Sequence, residues 1–181
     1  GERTMQVGDQ VIRGEKVFIV AGARPAIPPM EGLHNVRYLD NESLLELTEL
    51  PESLLMVGGG YITCEYAHFF EAMGTRVIIL QRDERLVPDE EPEISHLLAH
   101  KLSERMEVHL STEAVAVRQA GREVIVTGRN PLTGEAREFR AGQLMVATGR
   151  KPYTDLLEVE KTGVETDEWG YIRANEYLET N

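Results

Sequence analysis

The stretch VGGGYITCE, residues 57–65, places three glycines between an apolar run and a segment with helical spacing. Gly58, Gly60 and Thr63 occupy the fixed positions of the pattern G-x-G-x-x-G, with threonine in place of the third glycine. In this pattern the first glycine permits a tight turn, and the second lets the backbone approach a pyrophosphate at the helix N-terminus. A glycine-rich turn can also serve only to connect a strand to a helix, so the flanking sequence has to decide.

The residues around this loop alternate between strand and helix. Leu54–Val57 and Val77–Leu80 are short apolar runs typical of buried parallel strands. Apolar residues at helical spacing predict a helix over 61–73, and Pro92 suits the start of another that runs to about Arg105. Further strands are predicted at Val108–Leu110, Ala114–Gln119, Glu123–Arg129, Glu135–Arg140 and Leu144–Ala147. We therefore predict an α/β fold, a Rossmann-like FAD/NAD(P)-binding domain with a parallel sheet and a three-stranded β-meander crossover.

The residues before the first apolar strand do not show this alternation of strand and helix. Residues 1–24 predict a β-meander in which Thr4–Val7 and Val11–Arg13 pair and Lys16–Val20 forms a strand buried on both faces. Two short helices are expected, from Asp40 or Asn41 through Glu49 and near Asp155–Val159.

Composition excludes several classes of function. The chain of 181 residues carries 31 acidic and 19 basic residues, a net charge of −12, which argues against a nucleic-acid-binding surface or an anionic membrane face. Its single cysteine, Cys64, excludes a disulfide-stapled secreted scaffold, and we expect a cytoplasmic protein. Because the first residue is not methionine, we also expect a fragment of a longer chain.

Two residues after the strand Val77–Leu80 bear on the choice of dinucleotide. NAD-binding folds carry an Asp or Glu here for the ribose 2′-hydroxyl, whereas this chain has Gln81 followed by Arg82. A neutral Gln81 would not repel a 2′-phosphate, and Arg82 can form a charge-assisted fork with one. The sequence favours NADP(H) and leaves NAD(H) as the alternative. A competing interpretation is that Arg82 only pairs with Asp83 or Glu84 on the surface.

Three segments resemble motifs of the flavoprotein disulfide reductases, in the order and separation of that family. VGGGYITCEYAHFFEAMGTRVIIL, residues 57–80, resembles the pyridine-nucleotide domain. VFIVAGARPAIPPMEG is similar to the flavin-domain motif ATGSxPxxPxxxG, and LMVATGRKPYTDLL is similar to ATGRxPNT. Gln81-Arg82 is more similar to the NADPH-using glutathione, mercuric and mycothione reductases than to dihydrolipoamide dehydrogenases, which carry Glu at the first position.

The resemblance implies a domain organisation and a set of cofactor contacts. Residues 1–38 would end the FAD-binding domain, 39–151 would form the NAD(P)-binding domain, and 152–181 would return toward the FAD-binding domain. The implied dinucleotide contacts are Gly58, Gly59, Gly60, Tyr61, Ile62, Glu65, Gln81, Arg82, Ala147, Thr148, Gly149 and Arg150, and Ala21, Gly22 and Arg24 would face the flavin side. Tyr61 matches a ring that covers the nicotinamide pocket in some members, and Glu65 an acid near the nicotinamide carboxamide. Thr63 and Tyr153 depart from the family pattern.

The implied function belongs to a longer protein. The family implies a homodimeric, FAD-dependent NAD(P)H:disulfide oxidoreductase in which hydride passes from nicotinamide to flavin and then to a disulfide. The redox pair CxxxxC, the flavin-binding motifs and the His–Glu base are not in this sequence, so no catalytic residue is expected here and the fragment alone should be inactive. The alternatives are a flavin NADH oxidase or ferredoxin/nitrite reductase without a redox disulfide, and a non-catalytic dinucleotide-binding module.

Two other features have ordinary explanations. His96 and His100 lie four residues apart on a predicted helix, a spacing that can bind zinc, but no third ligand is evident, so a solvated helix face is favoured and no metal site is predicted. Cys64 near a helix N-terminus could be a reactive thiol, although a small packing residue is the simpler interpretation.

Overall fold

A computed structural model describes residues 3–181, and the chain divides into two compact units. One unit combines the chain up to Arg24 with Arg150–Asn181, and the other is Pro25–Gly149. The strands are β1 (Thr4–Val7), β2 (Gln10–Arg13), β3 (Ala23–Pro25), β4 (Ser53–Val57), β5 (Arg76–Leu80), β6 (Glu107–His109), β7 (Glu113–Ala120), β8 (Glu123–Arg129), β9 (Ala136–Ala141), β10 (Gln143–Val146) and β11 (Arg150–Pro152). The helices are α1 (Tyr61–Ala72) and α2 (Pro92–Ser103).

The unit Pro25–Gly149 is built on a four-stranded parallel sheet with the order β10-β4-β5-β6. Strand β4 is central, and its Leu54 lies opposite Val77 of β5 and Gln143 of β10. Every residue of β4 is buried. Helices and a second sheet cover the two faces, which explains why these strands are continuous apolar runs in the sequence.

Alternate residues of β4 point into two separate hydrophobic cores. Leu54 and Met56 belong to the core formed with α1 and α2, whose members include Phe70 and Leu102. Leu55 and Val57 belong to the core shared with the antiparallel sheet β7-β8-β9, which includes Phe139. The unit therefore has three layers, with helices on one face of the parallel sheet and the β-meander on the other.

Both helices begin and end where their sequences indicate. Gly60 precedes the first turn of α1 in an extended conformation, and Gly74 follows its last turn at φ +97°, a left-handed conformation that glycine adopts without strain. Pro92 is the first residue of α2, where its missing N–H has no helical partner to lose. The predicted α/β fold, with its parallel sheet and three-stranded meander, is confirmed.

One strand prediction is wrong. Residues 16–20 form no strand in the described part of the chain, and Phe18 and Val20 are 80% and 90% exposed. An apolar run becomes a buried strand only when a neighbouring strand pairs with it and other layers cover its faces. Within residues 3–181 no strand pairs with it, so the composition of the run alone was not sufficient.

The unit that contains both chain ends has little regular structure. β1 and β2 form the predicted antiparallel hairpin, and β3 pairs with β11. The Arg24 guanidinium forms a two-pronged ion pair with the Asp155 carboxylate, with nitrogen–oxygen distances of 3.0 and 2.5 Å. This ion pair, together with the contact between Lys151 and the same carboxylate, holds the pKa of Asp155 well below its usual range.

Short 3₁₀ turns take the place of the two predicted short helices. The first covers Ser43–Glu46, and the Asp40 carboxylate accepts hydrogen bonds from the backbone N–H groups of Glu42 and Ser43. In place of the helix near Asp155–Val159, 3₁₀ turns lie at Tyr153–Asp155 and Val159–Thr162. Across residues 3–181, neither helix has both the length and the apolar character that a bilayer-spanning segment requires.

Candidate dinucleotide-binding site

The glycine-rich loop lies at the carboxyl edge of the parallel sheet, beside the end of β10. Strand β4 leads through this loop into α1 and then to β5 on one side, while β10 lies on its other side. The order in which successive strands are added therefore reverses at β4, since β5 and β6 lie on one side of it and β10 lies on the other. Ligands of open α/β sheets bind outside the carboxyl ends of the strands at such a reversal.

Gly58 is required by the fold itself. Its φ is +116°, and a Cβ atom built on it would lie 2.3 Å from the carbonyl oxygen of Ala147. Its N–H donates to the carbonyl of Leu80, so the backbone leaves β4 closely packed between the ends of β5 and β10. Only glycine fits this close crossing.

Gly59 is also required by packing, but against a side chain. A Cβ atom at this position would lie 2.6 Å from Cδ of Gln81 and 3.0 Å from its Cβ. Gln81 is 6% exposed and folds over the loop instead of extending into solvent. The structure thus brings together Gly58, Gly59, Gln81 and Ala147, four of the residues predicted from the sequence.

Gly60 differs from its two neighbours. Its φ of −78° and ψ of −178° suit any residue, and a Cβ atom there would meet no atom within 4 Å. It stands at the N-cap of α1, where the first N–H groups of a helix lack intrahelical partners and carry partial positive charge. Neither backbone strain nor packing explains a glycine at this point.

The first two turns of α1 carry three more of the predicted residues. Tyr61 is the first helical residue and is 60% exposed, and Glu65, four residues later, is also exposed on the same helix face. Ile62 is half-buried against the core beneath the helices. Tyr61 and Glu65 are therefore free to meet a ligand at the loop, whereas the side chain of Ile62 is mainly a packing element.

The predicted residues at the end of β10 are tied to the start of the same unit. The Thr148 hydroxyl donates to the carbonyl of Ala26, and the Ala26 N–H donates to the carbonyl of Gly149. Three further predicted residues, Ala21, Gly22 and Arg150, lie in the other compact unit. There the Arg150 guanidinium donates to the carbonyl of Ala23, Gly22 adopts φ +69°, and Ala21 is half-buried.

Two residues that sequence reasoning missed brace the glycine loop. The N–H of Val87 donates to the carbonyl of Gly59 at 2.7 Å, and the hydroxyl of Ser95 donates to the carbonyl of Val87 at 3.1 Å. Val87 has φ +39°, which is strained for a β-branched residue and persists only where surrounding contacts hold it. No feature of the sequence predicts this role, because a β-branched residue such as valine is expected to have a negative φ.

The two unusual residues on α1 are both packing residues. Thr63 is fully buried between helix and sheet, and its hydroxyl has no hydrogen-bond partner among residues 3–181. Cys64 is buried beside it, 4.0 Å from the carbonyl oxygen of Gly59. Burial, with a smaller contribution from Glu65, raises the pKa of the Cys64 thiol to about 11. These observations agree with the interpretation of Cys64 as a structural thiol.

We expect Cys64 to react very slowly in the folded chain. With a pKa near 11, its thiolate fraction at pH 8 is roughly a hundredfold or more below that of a free cysteine, whose pKa is about 8.5. Iodoacetamide labelling followed by mass spectrometry should show this delay in buffer and rapid labelling in urea. Labelling in buffer at the rate of a small-molecule thiol would contradict a buried Cys64.

The two histidines of α2 have the i, i+4 spacing of a possible zinc site. His96 and His100 are exposed, and His100 lies 3.4 Å from the Glu104 carboxylate. Among residues 3–181, no three His, Cys, Asp or Glu side chains are grouped so that they could hold a metal ion.

A parallel sheet with a helix layer, a meander layer and a glycine-rich loop at its carboxyl edge defines a Rossmann-like FAD/NAD(P)-binding fold. Comparisons with known proteins identify the family. The family model described as pyridine nucleotide-disulphide oxidoreductase matches residues 1–181, so the chain belongs to that family.

Individual relatives agree with this assignment. A mercuric reductase from Staphylococcus aureus is 37% identical over 181 residues, which are 99% of this chain and 33% of that protein. A dihydrolipoyl dehydrogenase from Bacillus subtilis is 36% identical over 96% of this chain and 37% of its own length. The HOCl-induced flavoprotein disulfide reductase RclA from Escherichia coli superposes with a TM-score of 0.85 at 30% identity, covering 98% of this chain and 40% of that one. The chain thus spans about a third of the relatives it matches.

Proposed function

We propose that the unit Pro25–Gly149 binds a nicotinamide dinucleotide, with the pyrophosphate over Gly58, Gly59 and Gly60. The observation that carries the proposal is the space above Gly60. Of the three glycines in the loop, it alone is not required by strain or packing, and it is the one at the uncapped N-terminus of α1. A pyrophosphate can approach the backbone there and accept hydrogen bonds from the free N–H groups. Tyr61 and Glu65 flank the same approach.

We propose NADP(H) as the preferred dinucleotide, with NAD(H) as the weaker ligand. Gln81 is buried and places no carboxylate where the ribose 2′-hydroxyl of NAD would be held. Arg82 follows it with a side chain that is 69% exposed, so its guanidinium can turn toward a 2′-phosphate. The nearest competing group is Asp83, whose carboxylate lies 3.6 Å from Nε of Arg82.

For the whole protein we propose an FAD-dependent NAD(P)H:disulfide oxidoreductase that acts as a cytoplasmic homodimer. This chain would supply the NAD(P)-binding domain, residues 39–151 with Arg150, together with part of the FAD-binding domain, including Ala21 and Gly22. When bound, the flavin would pass electrons from nicotinamide to a disulfide. Family membership and the relatives' descriptions as reductases and dehydrogenases support this assignment. The residues of this chain would bind and orient the nicotinamide nucleotide.

Calorimetric titration of this chain with NADPH and NADH at matched low salt tests the proposal. Replacing Arg82 with alanine should weaken NADPH binding by about tenfold to a hundredfold, because a charge-assisted contact with the 2′-phosphate is lost, and leave NADH binding nearly unchanged. Arg118→Ala, which removes an arginine of the meander whose side chain is 56% exposed, is the control for net charge. Equal losses for both nucleotides in Arg82→Ala would refute the 2′-phosphate contact, and no binding of either nucleotide to the unmutated chain would refute the site.

A further inference from the structure

A polar network fixes the turn that follows β5. The side-chain nitrogen Nε2 of Gln81 donates to Oδ2 of Asp83 at 3.2 Å and to the carbonyl oxygen of Arg85 at 3.1 Å. Backbone bonds hold the turn as well, because the carbonyl of Asp83 accepts the N–H of Ser111. The amide of Gln81 is therefore used inside the protein, and its effect on a ligand is exerted through the residues it holds.

The carboxylate of Asp83 is shared between two neighbours. One oxygen accepts the hydrogen bond from Gln81, and the other lies 3.6 Å from Nε of Arg82. Arg82 is mostly exposed and contacts this carboxylate only loosely, whereas Asp83 is anchored through the buried Gln81. A fixed negative charge thus stands beside the one arginine that the proposed function assigns to a 2′-phosphate.

We propose that Asp83 determines how strongly the site discriminates between 2′-phosphorylated and 2′-hydroxyl dinucleotides. This inference rests on the proposed function. A 2′-phosphate that reaches Arg82 must either displace the Asp83 carboxylate from the guanidinium or bind beside that carboxylate. In both cases the two anions repel each other. The neutral 2′-hydroxyl of NAD(H) meets no such repulsion. Asp83 therefore lowers the preference for NADP(H) below the level that Arg82 alone would give.

The substitution Asp83→Asn tests the proposal in this chain. Asparagine keeps the shape of the side chain and an oxygen that can accept from Gln81, but it removes the charge. We expect NADPH to bind about threefold to tenfold more tightly in calorimetric titrations at low salt, with NADH affinity unchanged. Glu84→Gln is the matched control, because it removes one negative charge from the adjacent residue, for which no contact to Arg82 is observed. It should change NADPH affinity by less than about twofold.

A double-mutant cycle separates this role from a general effect. In the Arg82→Ala background, Asp83→Asn should improve NADPH binding by a smaller factor, since competition for the guanidinium is then absent and only the direct repulsion between the carboxylate and the 2′-phosphate remains. The proposal is overturned if Asp83→Asn weakens NADPH binding, changes the affinities for NADPH and NADH by the same factor, or gives the same gain in NADPH affinity without Arg82.

If Asp83→Asn lowers the unfolding midpoint, Asp83→Ser provides a second uncharged variant. An unmutated chain that binds neither nucleotide would refute the proposed function and this inference together, whereas normal NADPH binding without the Asp83 effect would refute only the latter.

Discussion

Replacing Gly60 with serine is expected to reduce dinucleotide binding about a hundredfold while the chain remains at least as stable as before. A serine side chain fits the protein at this position, since a Cβ atom meets nothing within 4 Å and φ is −78°. Its hydroxyl can cap α1 by accepting a backbone N–H bond, which stabilises helices relative to glycine by a few tenths of a kcal/mol. The N–H group that this hydroxyl caps would then no longer be available to the pyrophosphate.

Thermal unfolding and calorimetry together test this expectation. The unfolding midpoint of Gly60→Ser should be unchanged or about 1–2 °C higher, and NADPH and NADH should lose affinity to a similar extent because they share the pyrophosphate. Gly142→Ala is a suitable control, because that glycine lies between β9 and β10 at the other end of the sheet and its added Cβ would make only an ordinary contact with Ser53. Undiminished dinucleotide binding by Gly60→Ser would show that the loop is only a connection.

The sequence predicted the layers of the fold because they depend on local pattern. Continuous apolar runs became β4, β5 and β10, and alternating runs linked by tight turns became the meander. The run Lys16–Val20 has the same composition as these strands, yet it is exposed and unpaired in the described part of the chain. Burial of a strand depends on neighbouring strands, and that information is not contained in the run itself.

The candidate site was only partly predictable for a related reason. The spacing of the glycines predicted the position of the loop, but it did not distinguish the three glycines from one another. The fold requires glycine at positions 58 and 59, whereas a side chain at position 60 would meet no other atom within 4 Å. Gln81 was predicted as a neutral residue facing the ligand, whereas its side chain is buried over Gly59. Val87 gave no signal at all, because its left-handed conformation is imposed by tertiary contacts against its own preference.

Replacing Gly58 with alanine is expected to lower the free energy of unfolding of the unit Pro25–Gly149 by about 3–5 kcal/mol. Alanine at φ +116° is strained by itself, and its Cβ would lie 2.3 Å from the carbonyl oxygen of Ala147 and 2.8 Å from the carbonyl carbon. The loop can relieve this overlap only by moving away from the end of β10, whose Leu144, Met145 and Val146 are buried. Such a loss is a large part of the 5–15 kcal/mol that stabilises a typical domain.

Urea denaturation followed by circular dichroism measures this loss, and the labelling rate of Cys64 reports opening of the same unit independently. Gly74→Ala separates the two causes, since Gly74 also has a strongly positive φ of +97° but has open space around its Cβ position. That variant should lose only about 1 kcal/mol, the cost of the left-handed conformation alone. Equal losses for the two variants would show that strain, and not the close approach of β10, makes glycine necessary at position 58. A clearly larger loss for Gly58→Ala, with faster labelling of Cys64, would instead mean that the crossing of the glycine loop over β10 holds both the fold and the candidate site in place.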